Sequence, residues 1–287
     1  TAREFDFLVR DGMGTYASPT RGFPIIVAAG NASTSDYKVH APGTAKNVIT
    51  IGATESYNQL ATSLPTGCRA GAQDDVNCPR QLSVLSRFGY PNFRLKPDFL
   101  APGNLVAGPR SEVFYTSSSC PDSMTCISTA PGGPPTYLFA SGTSFAAPVA
   151  TGVVALLREW FAVLGKDEPS PAMVRATMIV GAQNLVTSRD GAGNCFNVAG
   201  GQWTCGDMRP APDQYQGWGG VSLDRYFRAA SKYFFYDQEV VLCQECTGAG
   251  STPWTTTVTI DDPTKPVRIA LAWTDAAGST ALAPEHN

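Results

Sequence analysis

The chain has 287 residues, with 21 Lys and Arg against 24 Asp and Glu and two His, a net charge of −3. A balance that weak, with no basic run anywhere, excludes a binder of nucleic acid or another polyanion. Hydrophobic residues make up 43% and charged ones 16%, with 28 glycines and 22 prolines between them, which excludes a disordered polymer and describes a loop-rich globular protein.

Residues 3–11 put Phe5, Leu8 and Val9 on one helical face. Phe23 to Ala29 is a short continuous apolar run, as in buried parallel strands, and Asn47 to Ala53 is a second. Helix, buried strand, loop and buried strand predict an α/β sheet. Residues 56–85 and 108–135 are polar or rich in Ser, Pro and Gly, and read as surface insertions. Phe145 to Leu164 is apolar nearly all round and predicts a buried helix, with Pro148 accommodated in its first turn. Pro148, Gly152, Arg158 and Glu159 interrupt this stretch, whereas a membrane span needs about 20 mostly apolar residues, so no membrane partner is expected. Ser170 and Pro171 predict a helix start, as N-cap and first helical residue. A third loop covers 188–213.

After about residue 232 the pattern becomes β-rich: Glu239 to Leu242, Thr255 to Ile260, and Val267 to Trp273. In the last, Val267, Ile269, Leu271 and Trp273 alternate with Arg268, Ala270 and Ala272, which predicts a half-buried antiparallel strand. The expected division is one unit over 1–233 and a second beginning at 234–287. An open sheet of about three strands is marginal by itself, so the second unit is expected to continue past Asn287. Residue 1 is Thr with no leader-like segment after it, as in a mature, trimmed or partial chain.

The eight cysteines fall in close pairs: Cys68 and Cys78, Cys120 and Cys126, Cys195 and Cys205, Cys243 and Cys246. The first three pairs flank polar loops, so local disulfides and an oxidising, extracellular location are expected. Eight cysteines allow about 105 connectivities, so the local pairing is one choice among many. Cys243-Gln-Glu-Cys246 has the spacing of a zinc or redox motif, but a zinc site needs two more ligands and His40 and His286 stand in no ligand cluster. A loop disulfide fits it better.

Two motifs carry chemistry. Ser141-Gly-Thr-Ser-Phe-Ala-Ala-Pro148 opens the apolar helix, where the helix dipole and free backbone N–H groups favour developing negative charge. On position alone, an N-cap serine is the favoured reading. Val27-Ala-Ala-Gly-Asn31 ends a buried strand at its carboxyl end, where open α/β sheets hold their sites. An Asn amide there can donate to an oxyanion.

Together these segments resemble the subtilisin-like serine proteases. Val27 to Asn31 is similar to the oxyanion motif of that family, and Gly142-Thr-Ser-Phe-Ala-Ala-Pro148 to its nucleophile motif. Ala41 to Ala53 and Lys96-Pro-Asp-Phe-Leu-Ala-Pro-Gly103 lie between them in the family's order. Gln216-Gly-Trp-Gly-Gly-Val221 resembles the segment closing the catalytic domain, and Arg268 to Asp275 the opening of a β-sandwich in one branch. The resemblance implies an α/β fold: the C-terminal part of a mostly parallel sheet flanked by helices, then the start of an antiparallel β-sandwich. It implies Ser144 as nucleophile, Asn31 with the Ser144 N–H as oxyanion hole, and Ala28, Ala29, Gly30 and Thr143 as substrate-binding residues. It implies a cis peptide at Ala41–Pro42. The sequon Asn31-Ala-Ser33 is expected to carry no glycan, which would obstruct the site.

The family's His and Asp motifs do not occur here. His40 reads as a loop histidine, His286 lies in the β-rich end, and Asp11-Gly12 and Asp190-Gly191 look like turns. No triad base or acid is therefore assigned in this chain. A missing N-terminal catalytic segment or a companion chain is the expected partner, and 1–287 alone is expected neither to fold stably nor to be active, because half a sheet exposes edges and apolar faces. The implied function is secreted endopeptidase action on protein or peptide substrates. The alternatives are a non-catalytic scaffold or binding domain of the same fold, or an unrelated secreted binding protein. Ala28, Ala29 and Ser33 bring no charge, which predicts preference for uncharged side chains. No cofactor is required, no metal ligand is assigned, and structural calcium is possible without a nameable site.

Overall fold

The computed structural model describes residues 1–10, 22–32, 36–56, 82–83, 85–89, 94–111, 125–127, 135–185, 195–198, 202–205, 211–227, 233–237, 256–264 and 266–278. Its centre is a parallel sheet of three strands, β1 (Ile26–Ala28), β2 (Ile49–Thr54) and β3 (Phe99–Pro102), in that order. Ile26 pairs with Ile49, and Ile51 with Phe99. All six residues of β2 are buried, which is why this strand reads as an unbroken apolar run.

Side-chain alternation divides the sheet between two layers. Ile26, Ile49, Ile51, Ala53, Phe99 and Ala101 face α2 (Thr143–Val163) and α3 (Pro171–Gly181). Ile25, Val27 and Val48 face α1 (Ala2–Arg10) through Phe5 and Val9. The predicted helix and both apolar strands are thus present, with ends shifted by one to three residues.

Helix α2 differs from its expectation. Ala146, Ala150, Val153, Val154, Leu157 and Phe161 are buried, whereas Thr151, Ala155, Leu156, Glu159 and Val163 are exposed. It is buried along one face, at spacings of three and four residues, and not all round. Pro148 lies in the second turn, not the first, because the helix starts at Thr143. Having no N–H, Pro148 cannot donate to the Ser144 carbonyl. By length and composition α2 could cross a membrane, but here its apolar stripe lies on the sheet. At α3, Ser170 Oγ accepts from Met173 N–H at 3.0 Å and donates to Asp237 at 2.6 Å, with Pro171 first in the helix, as predicted.

The segment resembling the domain's close runs beside β3. Leu100 N–H donates to Gly219 O at 3.0 Å, and Val221 N–H to Leu100 O at 2.9 Å. It leads into α4 (Leu223–Tyr226), whose buried Tyr226 ring fills the space over Gly181. Burial pushes the Tyr226 hydroxyl well above its ordinary pKa. Two antiparallel units are added: β4 (Val106–Pro109) and β5 (Thr125–Ile127) against β6 (Tyr137–Ala140), and the hairpin of β7 (Cys195–Val198) with β8 (Gln202–Cys205). The hairpin register sets Cys195 opposite Cys205. The cysteine side chains lie outside the described residues, as do His286, Asp11, Asp190 and Ser33.

The predicted strands at 255–260 and 267–273 are not strands here, and 239–242 lies outside the described residues. Ile269 and Leu271 are 89% and 78% exposed. The alternation is present, but among the described residues no neighbouring strand pairs with it and no ladder forms. This segment instead docks by polar contacts: Arg268 donates to Val180 O at 3.0 Å, Arg3 to Gly278 O at 2.7 Å, and Asn47 exchanges two hydrogen bonds with the Asp275 backbone at 2.8 and 2.9 Å.

Beneath the sheet lies a buried ion pair. Lys96 is 2% exposed and donates to Asp98 Oδ2 at 2.7 Å and to Val48 O at 3.0 Å. The same Asp98 oxygen accepts the Thr50 N–H at 2.7 Å, fixing β2 against the start of β3. Burial pulls the Lys96 ammonium below its usual range, and Asp98 opposes that. Asp98→Ala therefore strands a buried ammonium and a buried N–H, and a loss of about 3–5 kcal/mol is expected from chemical denaturation of the full-length protein.

Candidate active site

Strand β1 ends at Ala28, and Ala29 N–H still donates to Ile51 O at 2.9 Å. The chain then leaves the sheet at Gly30, with φ +96° and with Arg87 Cδ 2.9 Å from where a Cβ would stand. Both features require glycine. Asn31 follows and is exposed. Its backbone lies against 85–87: Arg87 N–H donates to Gly30 O at 3.0 Å, and Ala32 N–H to Leu85 O at 2.8 Å.

Helix α2 begins close by. Its N-cap is Gly142, with φ +150° and no side chain to cap the helix. The cap comes instead from the neighbouring strand: Asn31 Oδ1 accepts from Thr143 N–H at 2.9 Å and from Thr143 Oγ1 at 3.2 Å. Thr143 Oγ1 in turn accepts from Gly30 N–H at 3.1 Å. With the carbonyl oxygen of its amide used twice, Asn31 turns Nδ2 towards Gly142, 3.0 Å from where a Gly142 Cβ would stand. Ser144 is the second residue of the helix and is exposed. Its N–H lies in the first turn, where amides have no intrahelical acceptor. The exposed Ser144 and its first-turn N–H thus stand at the positive end of a 21-residue helix, two residues after the Gly142 that the Asn31 NH₂ faces.

Ser144 is not an N-cap, since Gly142 takes that position. Ala28 and Gly30 are half-buried, and Ala29 is 3% exposed. Thr143 is 1% exposed, and its hydroxyl serves Gly30 and Asn31. Ala41–Pro42 is cis, as predicted, and so are Lys96–Pro97 and Ala211–Pro212. His40 lies in the loop after Asn31, with Nε2 2.7 Å from Asp36 Oδ2. Among the described residues no hydrogen bond joins it to Ser144, and no three His, Cys, Asp or Glu side chains converge as metal ligands.

Arg87 lies over Gly30, donates from Nε to Asn31 O at 3.0 Å and pairs with Asp36 at 2.9 Å. Sequence reasoning missed both charges: Arg87 is 56 residues from Asn31, and no local pattern joins them. Hydrogen bonding from His40, then from Lys38 N–H, and the Arg87 charge hold the Asp36 carboxyl below its ordinary value.

Two outcomes follow from this geometry. Gly142→Ala sets a methyl group against Asn31 Nδ2 in a backbone conformation unfavourable to Ala, so kcat is expected to fall on the order of 100-fold, as when one oxyanion donor is lost. Steady-state kinetics on the full-length protein measures this. A carboxyl with a lowered pKa contributes stability above its unfolded pKa and loses it as pH falls through the folded value. The Tm difference between wild type and Asp36→Asn is therefore expected at pH above about 4 and should vanish at lower pH in thermal melts.

The subtilase family matches residues 11–219. Serine protease AprX of Bacillus subtilis is 29% identical over 156 residues, which is 54% of this chain and 30% of that protein. The serine protease/ABC transporter B family protein tagD of Dictyostelium discoideum is 27% identical over 148 residues, 48% of this chain and 8% of that protein. The chain thus spans less than a third of the length of these relatives. The structure of prenylagaramide maturation protease PagA aligns over 72% of this chain and 50% of that one, at 18% identity and a TM-score of 0.40. With the family match extending from before β1, through the Asn31 turn and α2, to the segment beside β3, this chain belongs to the subtilase family.

Proposed function

We propose that the protein is a secreted serine endopeptidase acting on protein or peptide substrates. The observation that carries this reading is the Asn31–Thr143 link, which ties the Asn31 amide to the residue preceding the exposed Ser144. In the first step the Ser144 Oγ–C bond forms at the scissile carbonyl, the Oγ proton passes to a base, and the carbonyl oxygen becomes an oxyanion held by Asn31 Nδ2 and the Ser144 N–H. The C–N bond then breaks as the base returns the proton to the leaving amine, and water hydrolyses the acyl-enzyme in the same way. The base and its orienting carboxylate are assigned to a segment or companion chain outside these 287 residues. A further strand beside β1 is the natural position for it, since β1 is paired on one edge only among the described residues.

Disulfides within the local cysteine pairs and a β-sandwich begun near residue 234 belong to the same reading. Ala28, Ala29 and Gly30 form one wall of the primary pocket in it. Arg87 beside Gly30 is paired with Asp36 and adds no net charge, so preference for uncharged side chains is retained. Labelling the full-length protein with a serine-directed fluorophosphonate, with the adduct mapped by mass spectrometry, is expected to modify Ser144 and not the Ser144→Ala variant. A folded, unlabelled protein would favour the non-catalytic scaffold. Strict cleavage after Arg or Lys in a peptide library would overturn the uncharged pocket.

A further inference from the structure

We propose that Arg87 is a positioning residue for the oxyanion hole, and that Asp36 holds it in that role; this rests on the peptidase reading of Ser144 and Asn31. The direction of the Asn31 amide depends on the backbone from which its side chain grows. Both carbonyls of that backbone are bound by one residue: Gly30 O by the Arg87 main-chain N–H at 3.0 Å, and Asn31 O by Arg87 Nε at 3.0 Å. The rest of the guanidinium reaches across the loop that follows. One terminal nitrogen donates to Lys38 O at 3.1 Å, and the other meets Asp36 Oδ2 at 2.9 Å. His40 Nε2 lies 2.7 Å from that same carboxylate oxygen. The side-chain stem packs on the face of Gly30. A planar fork with several fixed donors can hold such points together, whereas the single flexible ammonium of Lys cannot. The side chain of Arg87 is 18% exposed.

Arg87 therefore acts on the reaction through Asn31 and touches neither substrate nor nucleophile. Displacing a catalytic donor by about 1 Å costs on the order of 100-fold in rate, and Arg87 limits such displacement. The test uses the full-length protein, with Arg87→Met, Arg87→Lys, Asn31→Ala and the Arg87→Met/Asn31→Ala double variant. Arg87→Met keeps the stem over Gly30 and removes the donors. A fall in kcat of roughly 10- to 100-fold with little change in KM is expected, partial recovery in Arg87→Lys, and no further loss from Arg87→Met once Asn31 is gone. Unchanged kcat with a lowered Tm, or additive losses in the double variant, would overturn the proposal. Should Arg87→Met not fold, Asp36→Asn, which leaves Arg87 in place, decides the matter: lowered kcat at unchanged KM supports it and unchanged kcat overturns it. A folded wild type that neither cleaves peptides nor takes the fluorophosphonate adduct would overturn the peptidase reading, and this proposal with it.

Discussion

The hydrogen bond from Thr143 N–H to Asn31 Oδ1 is the contact on which the site depends. It joins the carboxyl end of β1 to the amino end of α2 across 112 residues of sequence. A helix needs its first N–H groups satisfied, and Gly142 brings no side chain to do it. The strand therefore supplies the cap, and because an amide has one acceptor end and one donor end, capping the helix with the first leaves the second facing Gly142. Capping of the helix start and orientation of the Asn31 NH₂ are two consequences of one side chain.

Close packing makes this bond possible. A Cβ on Gly103 would stand 2.6 Å from Ala53 Cβ and 2.9 Å from Ala146 Cβ, so helix and sheet approach at a point where only small residues fit. Gly142 N–H donates to Gly103 O at 2.8 Å, which fixes the height of the helix start above the sheet. The register of the sheet is fixed in turn by Lys96 and Asp98, both buried, which tie the end of β3 nearest them to β2. A polar network at that depth is costly when broken, so it constrains β3 and β2, on which β1 is paired, more firmly than apolar burial alone.

A second layer of support lies on the other side of Asn31. Arg87, Asp36 and His40 form a hydrogen-bonded cluster over Gly30 and the loop that follows it. Asn47 has the same part elsewhere: it receives a carboxylate oxygen of Asp6 on its own N–H, and its side chain binds the Asp6 and Asp275 backbones. A buried carboxylate in α1 is thereby accommodated, with burial raising its pKa against that hydrogen bond. Both clusters join elements that are remote in sequence, and neither announces itself in hydropathy.

The family resemblance paired the Gly-Asn turn with the serine-bearing helix start, whereas the residues themselves determined the buried runs that became β1 and β2, helix α1, and the start of α3 at Ser170 and Pro171. These are legible because period, capping chemistry and glycine conformation act over a few residues. The sequence also predicted a strand at 267–273, whose alternation is real but which has no pairing strand among the described residues. Only the tertiary structure decided that α2 is buried on one face, that Gly142 and not Ser144 is its cap position, and that Arg87 lies over Gly30. The physical reason is the range of the forces involved. A strand or a turn follows from its own residues, but the partner of a buried polar group is whichever chain segment sheet register and close packing bring within about 3 Å.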